Sequence, residues 1–195
     1  MDTENRIVLA MAELLRVQGY AATGINQLVR AADAPTGSIY HHFKGGKREV
    51  AAAALRQTGA AYIQLLPLLL DPHEDLATGI EAAFVAAGEQ TRDTGWMNMC
   101  PVGTVTAEIA DTEPALREVA AEVMASWVAQ GSAYLVGRGL PEAMARSVIH
   151  ALVGALEGAF LLARGLRSVE PFVAAGRAQA AYVTSLTGRS RQVLA

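Results

Sequence analysis

Residues 33–47 read DAPTGSIYHHFKGGK. Proline at 35 disfavours helical geometry in Ala34, and its missing N–H is tolerated only in a helix's first turn. One helix therefore stops before it and another starts at it. Gly45-Gly46 breaks the chain again. The spacing predicts a short helix over 35–42, with Ile39 and Phe43 pointing inward beside Leu28 of the preceding segment. Thr36, Gly37, Ser38, Tyr40 and His41 are left facing out. Short hydroxyls, a phenol and an imidazole bond to phosphates and base edges at little desolvation cost. Gly37 carries no side chain, so the backbone there can approach a groove wall closely. Taken singly, a Tyr-His-His-Phe run is also an ordinary helix end. The order helix, turn, helix, Gly-Gly-Lys is what turns it into a reading surface.

The flanking sequence supplies the supports such a helix needs. Asp2 or Thr3 caps a first helix that carries Ile7, Met11, Leu14 and Leu15 on one face and ends at Gly19. A second helix starts after Thr23-Gly24, places Ile25, Leu28 and Val29 inward and stops at Asp33-Ala34-Pro35, with Gln27 positioned to close back on the cap. Two short helices behind a longer one form a helix-turn-helix unit. Lys47 opens the next helix, where its ammonium and the free N–H groups can hold one phosphate together. That helix runs toward Leu70, bent or ended near Pro67, about 35 Å long at 1.5 Å per residue.

Further helices are expected over 74–92, 103–110, 113–137, 141–165 and 170–187. Three of them open with proline and glutamate together, where proline fits and a negative charge meets the helix dipole. No stretch alternates in the manner of a strand, so the fold class is all-α. The tail after Gly188 is expected to fray. Residues 1–46 then form a helix-turn-helix domain and 47–195 a second helical domain.

Composition narrows the function. The chain has 195 residues and a formal net charge of −3, but residues 1–56 carry seven basic residues against five acidic ones, and the remainder nine against fourteen. The basic part is the part with the reading surface. A single cysteine, Cys100, excludes an internal disulfide and a cysteine-based metal cluster and suits a reducing cytoplasm. MDTENRIVL has no basic lead-in to an apolar run, so no secretory signal is visible. The apolar run Val148 to Ala163 is interrupted by His150 and Glu157 and falls short of the roughly 20 residues a bilayer span needs. A soluble, cytoplasmic protein is expected. The chain has no Glu-x-x-His pair of the di-metal kind, no histidine–carboxylate cluster and no Gly-rich phosphate loop after a strand, so no catalytic residues, metal or cofactor are implied.

The stretch TGINQLVRAADAPTGSIYHHFKGGKREVAAAAL resembles the helix-turn-helix signature of the tetracycline-repressor-like (TetR) transcriptional regulators, and GSIYHHFKGGK is most similar to their LmrA/YxaF-type subgroup. The resemblance covers about residues 5–55. It implies a homodimer of helical subunits that binds double-stranded operator DNA and is released by a small molecule, with 1–46 as the DNA-binding domain and 47–195 as the effector-binding and dimerisation domain. It also implies a recognition helix over 35–42, with Thr36, Gly37, Ser38, Tyr40 and His41 on DNA and Lys47 on phosphate. Two positions depart from the family pattern: Thr36 stands where Lys or Arg is frequent, and Gly24 stands where a small hydroxyl residue caps the second helix. Both changes remove polar contacts and shift weight to Asn26, Lys44, Lys47 and Arg48.

The other unusual stretch is GWMNMCPVGT, 95–104. Pro101 and Gly103 argue against a regular helix there, and a loop with Trp96, Met99 and Cys100 suits the wall of a pocket for flat apolar or aromatic ligands. Cys100-Pro101 also resembles a Cys-Pro element of the same subgroup, whose effectors are flat aromatic or drug-like compounds. Phe84, Met124, Trp127, Leu156 and Phe160 lie on helix faces that can converge on one cavity, although each taken alone fits ordinary core packing better. His150 fits a core or interface position better than a ligand contact. Ala151, Ala155, Ala159 and Ala163, with Gly154 and Gly158 one row over and Ala174, Ala178 and Ala181 on the last helix, permit close helix approach. Helices 141–165 and 170–187 of two subunits can thus build a four-helix dimer interface.

Overall fold

A computed structural model describes residues 2–97, 99–109 and 112–193, without the side chains of 188–193. Among the described residues there are ten helices and no strand: α1 Thr3–Gln18, α2 Ile25–Ala31, α3 Thr36–His42, α4 Lys47–Ile63, α5 Leu65–Leu70, α6 Leu76–Asp93, α7 Pro101–Ile109, α8 Pro114–Gly137, α9 Glu142–Leu166 and α10 Glu170–Val193. The chain packs into two compact units, one of residues 1–61 and 99–125, the other of 62–98 and 126–195. The functional division expected at residue 46 is a different one, since α4, α7 and the first half of α8 pack with the helix-turn-helix.

In the first unit α1 is the support. Asp2 caps it by accepting from the Asn5 N–H at 2.8 Å, and Ile7, Met11 and Leu15 are completely buried. Leu28, Ile39 and Phe43 are buried as expected, which fixes the helix pair. Three local details differ from the sequence expectation. Pro35 is the N-cap of α3 and not its first residue, with extended backbone at ψ 147°. Gln27 does not close on a cap: its amide pairs reciprocally with that of Gln18, at 2.8 and 2.9 Å. The helix from Lys47 ends at Ile63, ahead of Pro67, because the proline ring clashes with the carbonyl four residues back and offers it no N–H. At 17 residues it is about 25 Å long, not 35 Å.

The helix after Cys100 also differs. It starts at Pro101 and runs through Gly103, since proline at the first position needs no N–H partner and the Gly103 N–H lies 3.4 Å from Cys100 Sγ, which takes the cap position.

The second unit is built by α6, α9, α10, α5 and the remainder of α8. Asp75 caps α6 by accepting from the Thr78 N–H and hydroxyl at 2.8 and 2.7 Å. Gly88 and Gly176 let α6 and α10 come together: Gly88 meets the Phe172 ring and Gly176 meets Phe84. Arg138, near the end of α8, donates to the carbonyls of Leu70 and His73 and so ties down the α5–α6 connection. Of the alanine row of α9, Ala159 and Ala163 are buried and Ala151 and Ala155 half-buried, whereas Gly154, Gly158, Leu161, Leu162 and Leu166 are exposed. Ala174, Ala178, Ala181 and Tyr182 form an exposed stripe on α10. By length and composition alone α9 could cross a membrane, with mean hydropathy 1.4 over an 18-residue window of which 28% is buried. The expected frayed tail is helical to Val193 in its backbone, and Leu194-Ala195 lie outside the described residues.

Candidate DNA-reading surface and effector residues

The reading surface begins at the turn between α2 and α3. The chain reverses there through Asp33, at φ +48°, with the Ala34 N–H on the Val29 carbonyl at 3.0 Å. Arg6 of α1 donates to the Ala32 and Asp33 carbonyls at 3.2 and 3.0 Å. These carbonyls close the end of α2 and have no helical donors, so the guanidinium supplies them. Arg6 is thus a positioning residue that the sequence did not announce: its partners lie 26 and 27 residues away.

On α3, Thr36, Gly37, Tyr40 and His41 are exposed and Ser38 is half-buried. Nothing lies within 4 Å of the place a Cβ would take on Gly37, so that face of the helix is bare backbone. Asn26 on α2 and Lys44 after α3 are exposed too. Lys47 is placed differently. That side chain is half-buried, with Nζ 4.0 Å from the centre of the Tyr20 ring. Beside it Glu49 accepts from the Gly45 N–H at 2.7 Å, which places a carboxylate close to the start of α4.

The effector residues divide between the units. In the second unit Phe84 is buried, its Cβ against Gly176; Phe160 stands edge-on to Phe172 at 5.0 Å; Trp127 stacks with Tyr62 at 6.4 Å and 14°. Leu156 and Trp96 are half-buried. Trp96 closes the end of α6: the Gly95 N–H bonds the Arg92 carbonyl at 2.9 Å and the Trp96 N–H bonds that of Thr91 at 2.8 Å, a Schellman end with both residues at positive φ. Arg167 holds the same turn by donating to the Gly95 carbonyl at 2.9 Å. Met99 and Met124, both half-buried, and buried Cys100 belong to the first unit. A groove of about 280 Å³ in that unit runs along α4 and α8, lined by Arg48, Glu49, Ala52 and Leu116 among others, and none of the expected effector residues lines it. Among the described residues, two buried polar atoms lack partners, Thr104 Oγ1 on α7 and Gln179 Oε1 on α10.

Comparison with known proteins decides the family. The model of the bacterial regulatory proteins of the tetR family matches residues 7–54, and that of the LmrA/YxaF-like transcriptional regulator C-terminal domain matches 77–178. The chain belongs to the TetR family of transcriptional regulators. Two Bacillus subtilis relatives are named HTH-type transcriptional regulators. YxaF is 32% identical over 161 residues, 83% of this chain and 84% of its own; LmrA is 29% identical over 172 residues, 88% and 92%. NemR of Escherichia coli, named a transcriptional repressor, is 28% identical over 117 residues, 60% of this chain and 58% of its own. The crystal structure of its reduced form matches with TM-score 0.74 and 25% identity, over 95% of this chain and 98% of that one. As a TetR-family regulator the chain is a DNA-binding protein and not an enzyme.

Proposed function

We propose that this protein is a cytoplasmic repressor that binds its operator as a homodimer and is released by a small apolar or aromatic effector. Residues 1–46 read DNA; residues 47–195 bind the effector and the second subunit. The observation that carries the reading is the outer face of α3, where Thr36, Gly37, Tyr40 and His41 are exposed above the fully buried Ile39. Side chains there have no role in the subunit's own core, and they suit a duplex groove. Asn26, Ser38 and Lys44 extend the same surface, and Lys47 adds a phosphate contact.

Dimerisation through α9 and α10 is supported by the exposed Gly154, Gly158, Leu161, Leu162 and Leu166 on one and by the small-residue stripe on the other. A two-fold dimer would space two recognition helices for a palindromic operator. The effector reading rests on Phe84, Trp96, Met99, Cys100, Met124, Trp127, Leu156 and Phe160, a soft and aromatic set that suits flat ligands.

Release requires the effector to bind the non-DNA geometry more tightly, and operator must then weaken effector binding by the same factor, typically about 5- to 150-fold. The test is a tryptophan-fluorescence titration of a ligand found by screening, with and without a duplex selected in vitro against the protein. Equal ligand affinities in the two titrations would refute induction. Failure to select any duplex would refute operator recognition.

A further inference from the structure

Lys47, the first residue of α4, does not reach out into solvent. Its ammonium sits over the face of Tyr20, 4.0 Å from the ring centre, a cation–π distance. Tyr20 is itself held in place from α7. Burial, and then the Glu113 charge ahead of α8, push its pKa up. The main-chain N–H groups of Tyr20 and Ala21 donate to Glu108 at 2.5 and 2.8 Å, across 88 and 87 residues of sequence. Gly19, at φ +82°, makes room for that carboxylate, since a Cβ there would stand 2.7 Å from Glu108 Oε2. Burial pushes the Lys47 pKa down, and the charges of Glu108 and Glu113 push it back up. Burial is the larger effect and the pKa stays lowered on balance, with the two carboxylate charges and the ring offsetting part of the lost hydration.

We propose that Tyr20, Glu108 and Glu113 form a second seat for the Lys47 ammonium that competes with a DNA phosphate, so that α7 and α8 set how firmly α4 holds the duplex. The inference rests on the reading of Lys47 as a phosphate contact. One ammonium cannot occupy both places. Moving it to a phosphate gives up the ring and the two carboxylates, and the apparent phosphate contact is weaker by that amount. Glu108 also fixes the loop that follows α1, so a shift of α7 that draws Glu108 away frees the lysine and loosens residues 19–21 together. Glu108 and Glu113 are positioning residues: they act on DNA through Lys47.

The test measures duplex affinity of the full chain by fluorescence anisotropy across a salt series, using the in-vitro-selected duplex. Lys47→Ala is expected to lower the salt slope by about one unit. Glu113→Gln leaves the Glu108 cradle intact and is expected to tighten binding about threefold, the scale of one screened interaction between nearby charges. In the Lys47→Ala background the same substitution should change nothing. Glu108→Gln is expected to act in the same direction, and Glu113→Gln carries the test if that variant fails to fold. An unchanged slope for Lys47→Ala overturns both the phosphate reading and the seat. A lowered slope with equal Glu113→Gln effects in the two backgrounds overturns the seat alone.

Discussion

Arg6 Nε donates to the Ala32 carbonyl at 3.2 Å, so that a residue in the first turns of α1 pins the turn that launches the recognition helix. Its Nη2 makes a second bond to the Asp33 carbonyl, whose residue is at φ +48°. Arg6→Met keeps the apolar stem and removes both bonds. It is expected to lower stability by about 1–2 kcal/mol in urea denaturation, the scale of charge-assisted bonds in a half-exposed setting. Duplex binding should weaken as well. An unchanged unfolding midpoint would show that the turn holds without the guanidinium.

Gly158→Trp separates assembly from folding. Nothing lies within 4 Å of the Cβ position at Gly158, so the subunit itself has room for the side chain. Helical circular dichroism should stay as in the wild type while light scattering falls from the dimer mass to the monomer mass. A variant that remains dimeric places the interface away from this face of α9.

Two glycines should respond in opposite ways to alanine. At Gly176 a Cβ would stand 2.8 Å from Phe84 Cβ, and Gly176→Ala is expected to destabilise by about 1–3 kcal/mol as α6 and α10 are forced apart. At Gly37 the Cβ position is empty. Gly37→Ala should stabilise the protein by up to about 1 kcal/mol through helix propensity while weakening duplex binding. Thermal unfolding and anisotropy, run side by side, check both; equal stability changes at the two sites would contradict the packing described.

Asp75 gives the fold an acid-sensitive joint. The Thr78 hydroxyl, and then its N–H, hold the carboxyl below its usual range. Both bonds favour the ionised form, so the folded pKa lies under the unfolded value of about 4. The contribution is complete above that value and is lost as pH falls through the folded pKa. The stability gap between wild type and Asp75→Ala should therefore be widest near neutral pH and narrow below about pH 4. A gap of constant size across urea curves at the two pH values would exclude the charge.

Much of the architecture was legible because local rules governed it. Pro35, Gly45-Gly46 and the inward Leu28, Ile39 and Phe43 determine the helix-turn-helix from within a few residues of one another, and all three side chains are buried. What escaped was set by distance along the chain. Arg6 and Glu108 find main-chain partners 26 to 88 residues away, and no periodicity marks such residues. The alanine row of α9 was legible as small but not as buried at Ala159 and Ala163, because alanine fits a core and an interface equally well. Lys47 was read as a phosphate contact at a helix start, whereas its ammonium lies over the Tyr20 ring and feels the charges of Glu108 and Glu113 from a distant part of the chain.

Trp96 sits at φ +66° directly after Gly95 at φ +67°. A side chain with a Cβ in that region of backbone space costs about 1–2 kcal/mol relative to glycine. Random substitution followed by a screen for thermal stability alone should therefore enrich Gly or Asn at position 96 and discard the indole. A parallel screen for regulated expression of a reporter would retain tryptophan if the indole serves the effector, and the two populations would diverge at this one codon.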